Sequence, residues 1–301
     1  MNAATPTKRR EYPNRFFDSA AWNDLRYRQG DIVIASYAKA GTTLVQQIVA
    51  QLVFGGRAEV DVAALSPWLD SVHPDRATKL ALLQAQAHRR FIKTHLPADA
   101  LAFDPGAKYL YVGRDGRDIA CSLYDHQRAV ARDAQARLDA AGTAPGRLRV
   151  LAAPQASPTE YFQTWLERDG HPFWPFWEGV RSWWPLRGHD QVLFVHFARL
   201  RADLPGEIRR IADFLDIRIE PAAWPAILEH CSFGYMKAHA ARYVPHGTGL
   251  WQDDGRAFFS AGRAGRWRDT LTPAAGAAYE WHARAELGKD CAHWLACGEP
   301  T

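Results

Sequence analysis

Hydrophobic and polar positions follow two recurring patterns along the chain: short apolar runs and longer stretches with helical spacing. Four runs, rich in β-branched and aromatic residues, are typical of buried parallel strands. They are "DIVIASY" (31–37), "RRFIKTH" (89–95), "KYLYVGR" (108–114) and "QVLFVHF" (191–197). Helical spacing predicts helices at 42–53, from about Ile119, at Leu204–Asp216 and at Pro273–Leu287. Strands alternating with helices predict an α/β fold with an open, mostly parallel sheet and helices on both faces.

Three segments stand apart from this alternation. Residues 1–30 are polar and aromatic and predict an N-terminal arm laid on the domain. Residues 132–158, rich in Ala, Arg, Gly and Pro, predict a surface insertion or lid. The stretch "HPFWPFWEGVRSWW" (171–184) holds four of the twelve tryptophans. These rings either wall an apolar ligand pocket or, as is commoner for tryptophans on helices, fill a core. No internal repeat is visible, so we predict a single domain over 1–301.

Composition narrows the classes of function. A net charge of +4 permits an anionic ligand but does not require nucleic acid. The four cysteines share no C-x-x-C spacing, so we expect reduced thiols rather than a disulfide framework or a zinc site. The N-terminus lacks an apolar signal core, and no run approaches the roughly 18 apolar residues of a membrane helix. We therefore expect a soluble, cytoplasmic protein without a membrane span or a nucleic-acid partner.

The first candidate site is the loop "SYAKAGTTL" (36–44), between a predicted strand and a predicted helix. It departs from the triphosphate loop G-x-x-x-x-G-K-[ST], because Lys39 precedes Gly41 and no glycine opens the loop. A helix beginning at Thr42 would offer free N–H groups and a positive dipole end to an anion. The residues alone leave three interpretations open: a decayed triphosphate site, a different phosphate site, or a strand-to-helix turn.

Two further strands end in residues suited to chemistry. In "FIKTHLP" (91–97), Lys93 and His95 lie two apart and so share one side of the carboxyl end of a strand. Ligands bind there in open α/β sheets, and a histidine can act as a general base near neutral pH. In "YVGRDGRDIACS" (111–122), Arg114 can grip a phosphate with two hydrogen bonds. The structural alternatives are a histidine bonded to backbone and an arginine paired with a nearby aspartate.

Together these stretches resemble the cytosolic sulfotransferase family, whose donor is 3′-phosphoadenosine 5′-phosphosulfate (PAPS). "YAKAGTT" (37–43) is similar to the family's 5′-phosphosulfate loop Y-P-K-S-G-T-T-W, and "KTH" (93–95) to its catalytic segment. "YVGRDGRDIACS" is similar to its 3′-phosphate segment, with Arg and Ser eight positions apart. "CSFGYMK" (231–237) resembles the adenine-site stretch T-S-F-x-x-M-K, and "GRAGRW" (262–267) the late G-x-x-G-x-W signature. The five matches follow the family order from about residue 31 to 270.

The resemblance implies a three-layer, P-loop-type α/β fold and an enzyme that moves a sulfuryl group from PAPS to a hydroxyl or amine. The acceptor would be a small, apolar or aromatic molecule, the product 3′-phosphoadenosine 5′-phosphate (PAP), and no metal would be needed. By family analogy, Lys39 neutralises the bridging oxygen, His95 takes the acceptor's proton and Lys93 stabilises the transferring group. The implied donor-binding residues are Lys39, Ala40, Gly41, Thr42, Thr43, Leu44, Arg114, Ser122, Phe197, Ser232, Phe233, Met236, Gly262 and Arg263.

Several positions depart from the family pattern. Leu44 stands where the family has an adenine-stacking tryptophan, although Phe233 remains available to the ring. Phe197 stands for an adenine-contacting tyrosine and lacks its hydroxyl. Ser260-Ala261 replace an Arg-Lys pair that grips the 3′-phosphate, so the site loses two charged partners.

We expect Arg263 to compensate for the missing pair, with Arg266 as the weaker substitute. The family's dimer signature is not found after Trp267, and Pro273 occupies its valine position. No oligomeric state is therefore predicted.

Two other functions remain as alternatives. A kinase of the phosphate-loop class would show magnesium-dependent ATP turnover, but the lysine precedes the glycine and no strand-end acidic magnesium ligand is evident. The other alternative is a non-catalytic module that binds nucleotides or sulfated ligands. Such a module would not need a base, so the presence of both Lys39 and His95 argues against it.

Overall fold

The computed structural model of the protein describes residues 5–136, 151–245 and 247–299. Most of the predicted lid, residues 137–150, lies outside the described residues. The flanking Ala134 is buried in a small apolar cluster with Leu250 and Trp251.

A four-stranded sheet, with every described strand parallel to its neighbours, forms the centre of the fold. Its strands are β1 (Ile32–Ser36), β2 (Phe91–Thr94), β3 (Lys108–Gly113) and β4 (Val192–His196). They lie in the order β2-β1-β3-β4, with Ile32 beside Phe91 on one side and beside Lys108 on the other. All four runs predicted as strands are confirmed, and the predicted α/β class with a parallel sheet is confirmed with them. The carboxyl ends of β1, β2 and β3 therefore meet at one edge, where ligands bind in such sheets.

Helices connect the strands and cover the sheet. Those in the first half are α1 (Ala21–Asp24), α2 (Thr42–Val53), α3 (Val62–Leu65), α4 (Arg76–Ala85) and α5 (Gly116–Arg128). Those in the second half are α6 (Pro158–Glu167), α7 (Phe176–Trp183), α8 (Phe197–Ala202), α9 (Leu204–Phe214), α10 (Trp224–His230), α11 (Phe233–Ala238) and α12 (Pro273–Cys297).

Three helix boundaries differ from the predicted ones. Helix α9 ends at Phe214 rather than at Asp216, and the other two differences have local reasons. Helix α5 begins at Gly116 rather than near Ile119, because the Asp115 side chain accepts from the Arg117 N–H and caps the first turn. Helix α12 continues past Leu287, and Gly288 at φ +75° interrupts it before it resumes. The helix predicted at 42–53 has the predicted bounds.

Alternate residues of the strands pack against opposite helical layers. Ile32 and Ile34 of β1 join one apolar cluster with helices α2, α9 and α10. Val33 and Ala35 join a second cluster with α5, α6, α7 and α12. Both faces of the sheet are therefore covered, which makes the structure three layers deep.

The described part of the N-terminal arm packs onto the second cluster through Phe17 and Trp22, which are both buried. A search of the described residues found no helix with the length and apolar character needed to cross a membrane.

Candidate active site

A cavity of about 670 Å³ opens at the carboxyl edge of the sheet and takes its walls from all five matched motifs and several other segments. The loop after β1, the end of β2, Arg114 after β3 and the first turns of α5 all contribute. The parallel sheet explains this convergence, because it brings the ends of distant segments to one edge.

The loop after β1 has a backbone that only a small residue permits at one position. Gly41 has φ +110°, and a Cβ there would lie 2.7 Å from Cδ2 of Phe197. Lys39 also has a positive φ, of 62°. This tight turn ends at the start of α2, whose first N–H groups have no partners within the helix. The loop thus presents N–H donors and a lysine at one place, as an anion site requires.

The imidazole of His95 is held in one orientation from several sides. Its Nδ1 lies 2.6 Å from the Ser36 carbonyl oxygen, so Nδ1 donates and Nε2 keeps a free lone pair. The rings of Trp68 and Trp174 lie at centroid distances of 4.9 and 5.3 Å. Burial, and then the nearby Lys93, lower the pKa of His95 well below its ordinary value. A neutral, oriented imidazole can accept a proton through Nε2.

A buried aspartate supports His95 from behind. One Asp70 carboxylate oxygen accepts from the His95 backbone N–H at 3.2 Å and from Trp68 Nε1 at 2.7 Å. The other accepts from Trp22 Nε1 at 3.0 Å. Burial raises the pKa of Asp70, and the hydrogen bonds from these donors lower it.

The two lysines of the cavity are poorly compensated cations. Burial, and then the charges of Arg114 and Lys93, lower the pKa of Lys39 to about 7. Burial lowers the pKa of Lys93 to about 8, against the opposing attraction of Asp70. Among the described carboxylates, none forms an ion pair with either lysine, and Lys39 Nζ instead lies 3.8 Å from the centre of the Phe258 ring. An anionic ligand would restore charge to both lysines.

Arg114 connects the first loop to the late glycine loop. Its guanidinium donates to the carbonyl of Lys39 at 2.9 Å and to that of Arg263 at 3.3 Å. Its Nε is buried and has no hydrogen-bond partner among the described residues. Asp118 holds the late loop by accepting from the N–H groups of Gly265 and Trp267. The Nε lies 4.0 Å from the Asp118 carboxylate. A guanidinium on a cavity wall with a nitrogen that makes no hydrogen bond is suited to a phosphate oxygen.

Most predicted site residues lie together on the cavity wall. Those that line it are Lys39, Gly41, Thr42, Thr43, Leu44, Lys93, His95, Arg114, Ser122, Phe197, Phe233, Met236 and Gly262. Ala40, Ser232 and Arg263 are not among the lining residues. Ala40 is fully buried in the core, and the Ser232 side chain caps α11 by accepting from the Tyr235 N–H.

The arginines of the late loop are placed opposite to the sequence expectation. The Arg263 guanidinium pairs with Asp269 at 2.5 Å and is more than half exposed. Arg266 instead lines the cavity, where it pairs with Asp125 on α5. Gly262 and Gly265, both at positive φ, turn the loop so that the later arginine faces inward.

The sequence analysis did not identify several aromatic lining residues, including Trp68, Trp251 and Phe258, nor His126 on α5. The tryptophan-rich stretch, 171–184, contributes both to the cavity wall and to the core. Phe173 and Trp174 line the cavity, whereas Trp177 and Trp183 are buried in the core. His126 could have been identified from the sequence, because it lies four residues after Ser122 and therefore on the same helix face.

One group of potential metal ligands occurs among the described residues: His293, Cys297 and Glu299 near the end of α12. None of the three lines the cavity. Cys121, Cys231 and Cys291 are free and buried.

Comparisons with known proteins agree on one family. A family model described as "Sulfotransferase domain" matches residues 29–290. The chain is 33% identical to the "Glycolipid sulfotransferase" of Mycobacterium bovis (strain BCG / Pasteur 1173P2), over 91% of this chain and 90% of the relative. It is 28% identical to sulfotransferase 1B1 of Mus musculus, over 87% of this chain and 85% of the relative.

Solved structures show the same fold. The crystal structure of mouse sulfotransferase SULT7A1 complexed with PAP superposes with a TM-score of 0.69 at 20% identity, covering 92% of this chain and 91% of that one. Retinol dehydratase in complex with androsterone and PAP gives a TM-score of 0.66 at 24% identity, covering 89% and 83%.

Proposed function

Because the chain belongs to the sulfotransferase domain family, we propose that it transfers a sulfuryl group from PAPS to a hydroxyl or amine of a small, apolar or aromatic acceptor. One observation carries the proposal: a single cavity joins an anion-binding loop, unpaired cations and an oriented neutral histidine. Binding of PAP by the structural relatives supports the choice of donor.

The residues of the donor half fit the two anionic ends of PAPS. The loop at 39–44 and the N-terminus of α2 suit the 5′-phosphosulfate, because they combine N–H donors with a lysine. Arg114, whose Nε has no hydrogen bond among the described residues, suits the 3′-phosphate together with Ser122 and Arg266. Phe233 and Phe197 provide apolar surface for the adenine in place of the family's tryptophan and tyrosine. The fit requires no metal, because the lysines supply the positive charge.

Transfer requires one proton to leave the acceptor and one S–O bond to break, while a new S–O bond forms with a hydroxyl or an S–N bond with an amine. The Nε2 of His95 accepts the proton of the attacking hydroxyl or amine. Lys39 offsets the negative charge that develops on the bridging oxygen left on the nucleotide, and Lys93 attracts the oxygens of the moving group. Sulfuryl transfer resembles phosphoryl transfer in having a loose, in-line transition state, so placement and electrostatics supply most of the catalysis.

The acceptor half supports an apolar or aromatic acceptor. Phe16, Trp68, Phe173, Trp174 and Trp251 line it. The cavity volume of about 670 Å³ lies within the roughly 300–1,000 Å³ of typical ligand pockets and must also hold the nucleotide. A small acceptor fits the remaining space best.

A glycolipid is the second candidate acceptor. The mycobacterial relative carries that name, and the cavity lining extends to Leu82 on α4, which is exposed and could contact an acyl chain. Incubation with radiolabelled PAPS and a panel of phenols, aliphatic alcohols, arylamines and glycolipids separates the two candidates. Label transferred to glycolipids alone would exclude a small acceptor, and transfer to no member would argue against the proposed function.

A further inference from the structure

His126 is a polar residue of the acceptor half that the proposed chemistry leaves unused. It lies on α5 one helical turn after Ser122, so the two side chains are about 6 Å apart along the helix axis and share one face. Aromatic rings surround its imidazole, with Trp251 at 4.8 Å, Phe258 at 5.6 Å and Phe173 at 6.5 Å between centroids. It therefore belongs to the aromatic half of the cavity and not to the phosphate-facing half.

The Nδ1 atom of His126 is buried without a hydrogen-bond partner among the described residues. Six side-chain atoms of the described chain share that condition, and only two of them, Arg114 Nε and His126 Nδ1, belong to residues that line the cavity. Arg114 faces the donor's 3′-phosphate in the proposed function. The proposed function assigns no donor group to His126, and a buried polar atom without a partner is costly enough to indicate a missing ligand.

Electrostatics restrict what His126 can bind. Burial, and then the charges of Lys39 and Lys93, lower its pKa well below the ordinary value. The ring is therefore neutral, with one N–H donor and one acceptor nitrogen. A neutral imidazole between aromatic rings is suited to an uncharged hydroxyl or carbonyl on a flat molecule.

We propose that His126 positions the acceptor by hydrogen bonding to a second polar group, so that the preferred acceptors are aromatic compounds with two hydroxyls. One hydroxyl meets His95 and receives the sulfuryl group, and the other meets the imidazole of His126. This inference rests on the proposed function. His126 is a positioning residue and does not take the acceptor's proton, because no backbone carbonyl of the described residues fixes its tautomer as Ser36 fixes that of His95.

The test compares 2-naphthol with a set of dihydroxynaphthalene isomers as acceptors. We expect the wild-type protein to favour at least one isomer over 2-naphthol by about tenfold in kcat/KM, as a hydrogen bond to a buried group allows. His126→Phe keeps the aromatic packing but lacks both nitrogens, and should reduce that preference to about one. His126→Asn places an amide near the position of Nδ1 and should restore part of it.

Binding of the same isomers to the protein saturated with PAP, measured by calorimetry, gives a readout that needs no turnover. His126→Phe should weaken the preferred isomer about tenfold and leave 2-naphthol within about twofold. Equal losses for both acceptors, or a wild-type protein without preference for any isomer, would overturn the proposal. Diol-selective binding without sulfuryl transfer would keep the role of His126 but contradict the proposed function, so the two failures are distinguishable.

Discussion

The two halves of the cavity are built in opposite ways. The donor half is mostly backbone and fixed charge, supplied by contiguous motifs at the ends of β1 and β3 and by the late glycine loop. The acceptor half is mostly aromatic side chains, supplied by segments as far apart as Phe16 and Trp251. An invariable ligand such as a nucleotide can be held by local motifs, whereas the acceptor's shape is set by tertiary packing.

His95 lies where the two halves meet, and the largest expected effect follows from that position. His95→Ala should lower kcat by about 10²–10⁴-fold, because a general base contributes that much to catalysis. The affinity for PAP should stay within about twofold, since the base acts on the acceptor and not on the nucleotide. Stopped assays with radiolabelled PAPS and calorimetric titration of PAP measure the two quantities. A variant that kept more than half of the wild-type rate constant would place the base elsewhere.

The next effect concerns the charges of the donor half. Arg114→Ala and Arg266→Ala should each lower the affinity for PAP about tenfold or more, because each removes a charged hydrogen bond. The affinity for adenosine 5′-monophosphate should barely change. Arg263→Ala is the matched control, because its guanidinium is exposed and paired with Asp269. Titration of both nucleotides against all three variants decides the matter. If Arg263→Ala were the more damaging change, the sequence expectation would be restored.

A smaller effect arises from the lowered pKa of Lys39, about 7 in the free protein. Below that pH the lysine is already charged; above it, PAP binding must add a proton, since the bound phosphate raises the pKa again. Affinity for PAP should therefore fall as the pH rises through 7, by at most about tenfold per pH unit from this group. At pH 8, calorimetry in buffers of different ionisation enthalpy should show proton uptake on binding.

Lys39→Arg is the matched variant for this pH effect, because a guanidinium stays charged across the range. It should take up about one proton fewer than the wild-type protein at pH 8. Equal proton uptake by the two proteins would show that Lys39 is charged before the nucleotide binds.

The last prediction is that removing divalent metal ions does not change turnover. Turnover should be the same in EDTA and in magnesium, since Lys39, Lys93 and the start of α2 supply the positive charge that a kinase takes from its metal. Initial rates in the two buffers measure this. Loss of activity in EDTA with rescue by magnesium would favour the kinase alternative.

The sequence predicted the fold and the donor half better than the acceptor half. Strands and phosphate loops are local patterns, and all four strands and the family were predicted correctly from them. The inward direction of Arg266 instead of Arg263 depends on positive φ angles at Gly262 and Gly265, which no spacing rule gives. The aromatic wall escaped prediction, because Trp68, Trp251 and Phe258 carry no motif and meet only after folding. The single-domain organisation and the cytoplasmic location remain predictions.

The hydrogen bonds to Asp70 bear on where this enzyme can be cut or recombined. The family match begins at residue 29, but Trp22 upstream donates to the carboxylate that also holds the backbone of His95, and Phe16 lines the cavity itself. A protein trimmed to the matched boundary would lose the indole that donates a hydrogen bond to the fully buried Asp70 carboxylate. It would also lose the phenyl ring of Phe16 from the lining of the acceptor half. The catalytic unit therefore starts in the N-terminal arm. A chimaera with a relative needs to exchange this arm together with the loop that carries Asp70.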